Sequence, residues 1–226
     1  MLLRTYGFVV PDNPYENYGL VLDTQPIAPG FEEKKKLWKA IGLDSESTIT
    51  LTLSNPLPQD VLRYLRIQRL DGKELFLMST RPEFIVVLKN QKVSDLNEVQ
   101  GLAFLVESFD VILSEFGTPL EKLEEQLAQG VYTPGGNAWG AAHASIGEQR
   151  VLKLARQKAQ ELLAAVRASL ATGFQCENCK KSAPTLMACG RCKSVPYCGR
   201  ECQVAHFEEH KATCLALAAA KGLLTR

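Results

Sequence analysis

All seven cysteines of this chain lie in its last quarter, between Cys176 and Cys214. They form closely spaced pairs, the last of which pairs a histidine with a cysteine: Cys176-x2-Cys179, Cys189-x2-Cys192, Cys198-x3-Cys202 and His210-x3-Cys214. Paired cysteines without a secretory signal indicate metal ligands and not disulfides, because reducing compartments keep thiols free. This segment therefore constrains the fold more than any other feature of the sequence.

The spacing of the pairs predicts two structural zinc sites. A Cys-x2-Cys pair turns tightly enough to aim two thiolates at one ion, and x3 spacing on a helix places both ligands on one face. Seven cysteines and one histidine fill two tetrahedral sites, which leaves no open position for catalysis by zinc. Spacing alone allows either a sequential or an interleaved assignment of the pairs.

Residues 176–214 closely resemble the MYND zinc finger. The resemblance includes Tyr197-Cys198, Cys202-Gln203, an aromatic residue at Phe207 and the final His210-x3-Cys214 pair. It implies interleaved sites, with Cys176, Cys179, Cys198 and Cys202 on one zinc ion and Cys189, Cys192, His210 and Cys214 on the other. His206 is not expected to be a ligand, since His210 occupies the family position. MYND fingers generally bind proteins through short, often proline-containing peptides, so we expect such a partner.

Charge and hydropathy exclude several other classes of protein. Twenty-six basic residues against twenty-five acidic ones give a net charge of +1, which does not favour a nucleic-acid partner. No apolar run approaches the roughly 18 residues that span a bilayer. Arg4, Gly7 and Pro11 interrupt the N-terminus before a signal-peptide core forms. We therefore expect an intracellular protein, in the cytoplasm or the nucleus, with no membrane partner.

The region before the cysteines is expected to be mainly helical. A half-buried strand is predicted at 47–54, where apolar residues alternate with threonines, and 84–88 is too short to classify. The charged run 32–36 is expected to be a solvated helix face, and His143 a surface or packing residue. Apolar periodicity and capping residues predict helices at 32–41, from an Asp60 cap to near 71–72, at 96–116, at 119–129, and at 137–171 with Leu152, Leu154, Ala155, Leu162, Leu163 and Val166 buried.

A second resemblance covers the first 172 residues. Tyr6-Gly7-Phe8 followed by Pro11-Asp12-Asn13-Pro14 resembles the C-terminal end of a SET domain of the Rubisco large-subunit methyltransferase type. The region that follows, from about 22 to 172, is similar to the helical substrate-binding domain of that family. Residues 147–152 resemble the last helix of that domain. The resemblance implies a catalytic role for Tyr6 beside the methyl-transfer site. In this chain taken alone, the residues favour a half-buried strand tyrosine.

These observations predict a mainly α protein with a short β segment and a two-zinc finger. The expected parts are a SET remnant at 1–22, a helical domain at 23–172, the MYND finger at 173–216 and a tail at 217–226. The predicted function is protein–protein interaction with structural zinc. The alternative is the C-terminal part of a protein-lysine N-methyltransferase that uses S-adenosylmethionine. Because the cofactor-binding segments of that family precede the Tyr6 position, we expect no activity from this chain alone.

Overall fold

The computed structural model describes residues 9–81, 84–171, 175–181, 186–192 and 195–220. Helices make up 59% of the structure, which confirms a mainly α protein. Contacts divide the chain into two compact units, Met1–Ala164 and Ala165–Arg226, here called the helical unit and the finger unit. Tyr6 lies outside the described residues, and the domain boundaries at 22 and 172 stay predictions. No helix of the described ranges is both long and apolar enough to cross a membrane.

Two antiparallel strands open the helical unit, β1 at Asn17–Asp23 and β2 at Glu46–Thr52. Leu20 lies opposite Ile49, and Asn17 lies opposite Thr52. Because side chains alternate along a strand, Leu20, Leu22, Ile49 and Leu51 all face the core. The predicted strand at 47–54 is therefore confirmed, although pairing ends at Thr52.

Most of the predicted helices are present. Those expected at 32–41, 96–116, 119–129 and 137–171 agree with the observed helices to within two residues at each end. Gly42 ends the first with a φ of 89°, and the Ser94 hydroxyl caps the second by accepting from the Asn97 amide. In chain order the described helices that begin in this unit are α1 Phe31–Ile41, α2 Gln59–Gln68, α3 Gly72–Thr80, α4 Ile85–Asn90, α5 Asp95–Ser114, α6 Leu120–Ala128 and α7 Asn137–Ala171, which continues past the unit boundary at Ala164.

Four details of the helical prediction are wrong. Helix α2 ends at Gln68 and not near 71–72. Asp60 does not cap α2, because Pro58 stands at the cap position with its fixed φ and Asp60 pairs with Arg63 at 2.8 Å inside the first turn. Leu154 is 40% exposed and lies off the buried face of α7. Within the charged run 32–36, Lys34 is only 6% exposed, because its ammonium donates to the Gln68 carbonyl at 2.9 Å.

An aromatic pair forms the centre of the helical unit. Trp38 of α1 stacks on Tyr64 of α2 with ring centroids 4.8 Å apart, and neither side chain is exposed. The Trp38 indole donates to the Tyr64 carbonyl at 3.2 Å. The Tyr64 hydroxyl lies 2.8 Å from the Thr24 hydroxyl and donates to the Ser45 carbonyl at 2.5 Å. These bonds satisfy the polar atoms of the two rings and fix them relative to both strands.

A buried ion pair joins α2 to α5. The Arg66 guanidinium donates to both carboxylate oxygens of Glu98, at 2.7 and 2.6 Å. The Asn97 amide donates to the Arg66 carbonyl at 3.0 Å. This bidentate geometry satisfies two charges that would be costly to bury alone.

The 147–152 segment of α7 holds the N-terminal described residues and α6 in place. Arg150 forms ion pairs with Asp12 at 2.7 Å and with Glu124 at 2.8 Å. The buried Gln149 amide donates to the Thr118 carbonyl at 3.0 Å. A Cβ at Gly147 would lie 2.6 Å from the Glu16 carboxyl carbon, so glycine permits the close approach of that side chain.

The finger unit has little regular structure beyond its helices. Two short antiparallel strands, β3 at Met187–Ala188 and β4 at Pro196–Tyr197, precede α8 at Arg200–Ala205 and α9 at Phe207–Ala220. The buried cluster of this unit contains Tyr197 and four cysteines, namely Cys176, Cys189, Cys192 and Cys214. A core with so few apolar side chains points to another source of stability.

Candidate metal centre

The structure gathers the eight predicted ligands into two groups of four. Within each group the ligand atoms lie within 4.8 Å of one another. We call them the all-cysteine group, which contains Cys176, Cys179, Cys198 and Cys202, and the histidine group, which contains Cys189, Cys192, His210 and Cys214. The two groups are interleaved along the chain, because each takes two residues that lie between the members of the other.

Local structure positions the all-cysteine group. Cys176 and Cys179 flank a tight turn in which the Lys180 amide donates to the Cys176 carbonyl at 2.8 Å. Cys198 follows β4, and Cys202 lies in the first turn of α8. The expectation of a shared helix face therefore fails for this pair, because α8 begins only at Arg200.

The histidine group is buried at all four positions. Cys189 and Cys192 lie at the turn after β3, where the Cys189 amide donates to the Val195 carbonyl at 2.8 Å. His210 and Cys214 lie one turn apart on α9, as the x3 spacing predicts.

The separations match tetrahedral coordination. The sulfurs of Cys198 and Cys202 are 3.4 Å apart, and those of Cys179 and Cys198 are 3.7 Å apart. In the histidine group, the Cys192 sulfur lies 3.5 Å from His210 Nε2. A tetrahedral zinc ion with Zn–S bonds of about 2.3 Å separates its sulfurs by roughly 3.8 Å. Both groups therefore have the size that a zinc ion requires.

Thiol acidity in the all-cysteine group also fits a cation. Burial raises the pKa of the Cys176 thiol, but the backbone amides of Cys179, Cys198 and Asn178 together lower that pKa to about 6. Hydrogen bonds to Cys202, Cys176 and Cys179 raise the pKa of Cys198 to about 12. Such close thiols do not all ionise unaided, whereas a soft dication stabilises several thiolates at once.

Thiol acidity in the histidine group also fits a bound cation. Burial, followed by the neighbouring Cys189 thiol, raises the pKa of Cys214 to about 11. The donor set of three sulfurs and one imidazole nitrogen is one that Zn²⁺ accepts in closed sites. Both groups thus fit structural zinc, and neither offers a coordination position to substrate.

Three side chains without an assigned role lie beside the histidine group. The Gln203 amide donates to the Cys189 sulfur at 3.7 Å, and the Tyr197 hydroxyl lies 3.0 Å from His206 Nδ1. His206 in turn stacks on His210 with ring centroids 5.9 Å apart, and it belongs to neither group. The Cys202-Gln203 pair was noted in the sequence. The contact of Gln203 with Cys189 was not predictable, because it depends on how α8 directs the Gln203 side chain.

His143, for which the sequence predicted a surface or packing role, lies on α7 in the helical unit. It is half-buried and packs edge-on against Trp139, with ring centroids 4.3 Å apart. Its place in the structure agrees with a packing role.

Solved structures resemble much of this chain. A structure of Rubisco LSMT bound to AdoMet matches 74% of the chain with a TM-score of 0.65 and 23% identity. A crystal structure of the SET domain of LSMT bound to lysine and AdoHcy matches 74% with a TM-score of 0.66 and 24% identity. The chain spans only 39% and 37% of those two proteins. At these identities the likeness shows a shared fold.

Family matches cover both units. No significant match exists among the curated proteins. Residues 176–214 match the MYND finger, and residues 25–152 match the family described as Rubisco LSMT substrate-binding. The second match covers more than half of the chain. The chain therefore belongs to the Rubisco LSMT substrate-binding family, and it carries a MYND finger as well.

Proposed function

We propose that this chain is a protein-interaction protein whose finger is folded by two structural zinc ions. The all-cysteine group and the histidine group would each hold one ion. The observation that carries the proposal is the presence of two separate four-ligand groups, each with its ligand atoms within 4.8 Å of one another. Four protein ligands close each site, so zinc here stabilises a fold and activates no water.

The proposed partner is a protein or a proline-containing peptide bound by the finger. MYND fingers are generally protein-interaction modules, and the match to that family covers all eight ligands. The net charge of +1 gives no support to a nucleic-acid partner. Free thiols at this density also fit an intracellular location, in the cytoplasm or the nucleus.

The zinc sites can be tested with two matched histidine substitutions. His210→Asn removes a ligand of the histidine group, and His206→Asn changes a neighbouring histidine outside both groups. We expect two zinc ions per chain by native mass spectrometry for the wild type and for His206→Asn. We expect at most one for His210→Asn. Equal zinc content in both variants, or one ion in the wild type, would contradict the assignment.

Partner binding can be tested with the intact chain and a panel of proline-containing peptides. Fluorescence anisotropy should detect peptide binding by the zinc-loaded chain and none after chelation. His206→Asn should retain binding, and His210→Asn should lose it. Binding that survives chelation would place the peptide site outside the finger.

A second candidate function is that of the C-terminal part of a SET-type protein-lysine N-methyltransferase. The family match at 25–152 favours it, since that domain is described as substrate-binding in Rubisco LSMT. In that case the helical unit presents the substrate, and Tyr6 is a catalytic tyrosine of a complete SET domain. The mass of the endogenous protein, immunoprecipitated with an antibody against the finger, separates the candidates: a band near 24.9 kDa favours the interaction protein, and a much larger band favours the enzyme. Titration calorimetry of these 226 residues with S-adenosylmethionine tests whether the chain alone holds the cofactor. We expect no binding, and measurable binding would favour the enzyme.

A further inference from the structure

On the basis of the proposed function and its two zinc sites, we propose that the all-cysteine group is also an oxidation site. Cys198 is the first thiol of the chain to react with hydrogen peroxide, and a second cysteine of the same group then forms a disulfide with it. The histidine group is protected from this reaction. The two groups thus differ in chemical reactivity, although both are closed four-ligand sites.

Exposure to solvent distinguishes the two groups. All four residues of the histidine group are buried. In the all-cysteine group only Cys176 is buried, whereas Cys179 and Cys202 are half-buried. Cys198 is exposed, and no other cysteine of the chain is. Because oxidation of a thiolate requires access, and buried structural cysteines are inert, Cys198 is the favoured target of a peroxide.

The surroundings of the two groups add to this difference. Gly199 follows Cys198, and a Cβ built there would meet no described atom within 4 Å beyond its chain neighbours. The space beside Cys198 is therefore open to a molecule as small as hydrogen peroxide. In the histidine group, the Gln203 amide donates to the Cys189 sulfur at 3.7 Å. A hydrogen bond that stabilises a thiolate makes it a weaker nucleophile.

Cys198 also has two possible partners for a disulfide. Its sulfur lies 3.4 Å from the sulfur of Cys202 and 3.7 Å from that of Cys179. Distance alone does not select this group, since the sulfurs of Cys189 and Cys214 are 3.8 Å apart. Redox-sensitive cysteines combine solvent access with a neighbouring thiol that resolves the oxidised sulfur. Cys198 has both.

The reaction consumes one hydrogen peroxide, two thiolates and two protons. The Cys198 thiolate attacks a peroxide oxygen, so that an S–O bond forms, the O–O bond breaks, and the leaving hydroxide takes a proton from solvent. The thiolate of Cys202 or Cys179 then attacks the Cys198 sulfur, which forms the S–S bond and breaks the S–O bond. The second hydroxide also takes a proton, so two sulfurs are oxidised and the peroxide is reduced to two waters. A bound zinc ion keeps the thiols ionised before the reaction.

The disulfide removes two of the four ligands of the all-cysteine group. A structural zinc site takes four protein ligands, so the two sulfurs that remain no longer form one. Oxidation should therefore release zinc from the finger. A thiol reductant should reverse the change, since disulfides are transient where thiols are kept reduced.

Limited oxidation of the full chain tests the site. The zinc-loaded protein receives one molar equivalent of hydrogen peroxide, a chromophoric chelator reports free zinc, and tryptic mass spectrometry maps the first disulfide. Trypsin cleaves after Arg200, which places Cys198 and Cys202 in different peptides. We expect the first disulfide to join Cys198 to Cys202 or Cys179, with at least one zinc ion released for each disulfide. Dithiothreitol with added zinc should restore the original zinc content.

Two substitutions separate reaction at Cys198 from general oxidation of the finger. Cys198→His replaces the exposed thiolate by an imidazole, which zinc also accepts, and should slow peroxide-driven zinc release at least about tenfold. Met187→Leu is the matched control. It removes an exposed sulfur of β3 that belongs to neither group, and it should leave the rate of zinc release unchanged.

Several outcomes would overturn the proposal. A first disulfide that lacks Cys198 or joins the two groups would do so, as would an unchanged rate in Cys198→His. If Cys198→His fails to hold zinc, the disulfide map of the wild type decides. Native mass spectrometry before oxidation separates this site from the proposed function. Fewer than two zinc ions in the reduced wild type would contradict both, whereas two ions with oxidation elsewhere would contradict the oxidation site alone.

Discussion

The two units of this chain are stabilised by different means. In the helical unit, large apolar side chains far apart in sequence, such as Trp38, Tyr64 and Phe109, are completely buried. In the finger unit, the buried cluster consists of four cysteines and one tyrosine. A small module buries too little apolar surface to fold on that basis alone. A few ligand atoms can thus take the place of a hydrophobic core when a metal ion joins them.

Removal of zinc should have the largest effect and should be confined to the finger unit. Structural zinc contributes roughly 10–16 kcal/mol of apparent binding free energy in finger peptides. Chelation, or Cys189→Ser, should therefore unfold the finger and leave the circular dichroism of the helical unit nearly unchanged. Hydrogen exchange should accelerate along α9 and remain slow in α2. Equal acceleration in both helices would show that the two units fold together.

The converse experiment uses Trp38→Ala. This substitution empties the centre of the helical unit and should cost about 3–5 kcal/mol of unfolding free energy, as for other buried aromatic residues. Urea denaturation monitors the loss. The zinc content by native mass spectrometry should stay equal to that of the wild type. A loss of zinc would mean that the finger depends on the core of the helical unit.

Glu98→Gln should have a somewhat smaller effect. It leaves the Arg66 guanidinium buried without its counter-charge, and breaking such a pair costs about 3 kcal/mol. The double variant Arg66→Met with Glu98→Leu removes both charges and should be markedly more stable than Glu98→Gln. If the double variant is the less stable of the two in urea, the ion pair is a source of net stability.

The smallest effect is expected from Asp12→Asn. The Arg150 guanidinium donates to Asp12 and holds the pKa of that carboxyl below its ordinary value. A lowered native-state pKa stabilises the fold above the unfolded-state pKa, and the contribution disappears as the pH falls through the native-state pKa. The wild type should therefore be slightly more stable than Asp12→Asn near neutral pH and equal to it in acid. A difference that persists in acid would contradict this origin.

The sequence predicted best what depends on neighbouring residues. The helix ends at Gly42 and Gly130 follow from the left-handed backbone that glycine adopts, with φ of 89° and 68°. The structure also brings the eight cysteine and histidine ligands into the two interleaved groups that the MYND resemblance implies. Their assignment to zinc remains a prediction for the experiments above.

The features that the sequence did not predict depend on contacts between residues far apart in the chain. Helix α3 was missed because 72–80 shows no clear amphipathic period, and Met78 is its only side chain in the core. Lys34 lies in a run of five charges, and only the Gln68 carbonyl on α2 accounts for its burial. The pairing of Arg66 with Glu98 likewise joins residues on separate helices. No local pattern specifies such contacts.

Interleaving of the two ligand groups has a consequence for how the finger loads its metal. The all-cysteine group closes a loop that contains Cys189 and Cys192, and the histidine group closes a loop that contains Cys198 and Cys202. When the first group binds its ion, it restricts the part of the chain that contains two ligands of the other group. Binding at the second group therefore costs less conformational entropy. If each group holds one zinc ion, as proposed, the two ions should enter cooperatively, and a chain holding a single ion should be scarce at every zinc concentration.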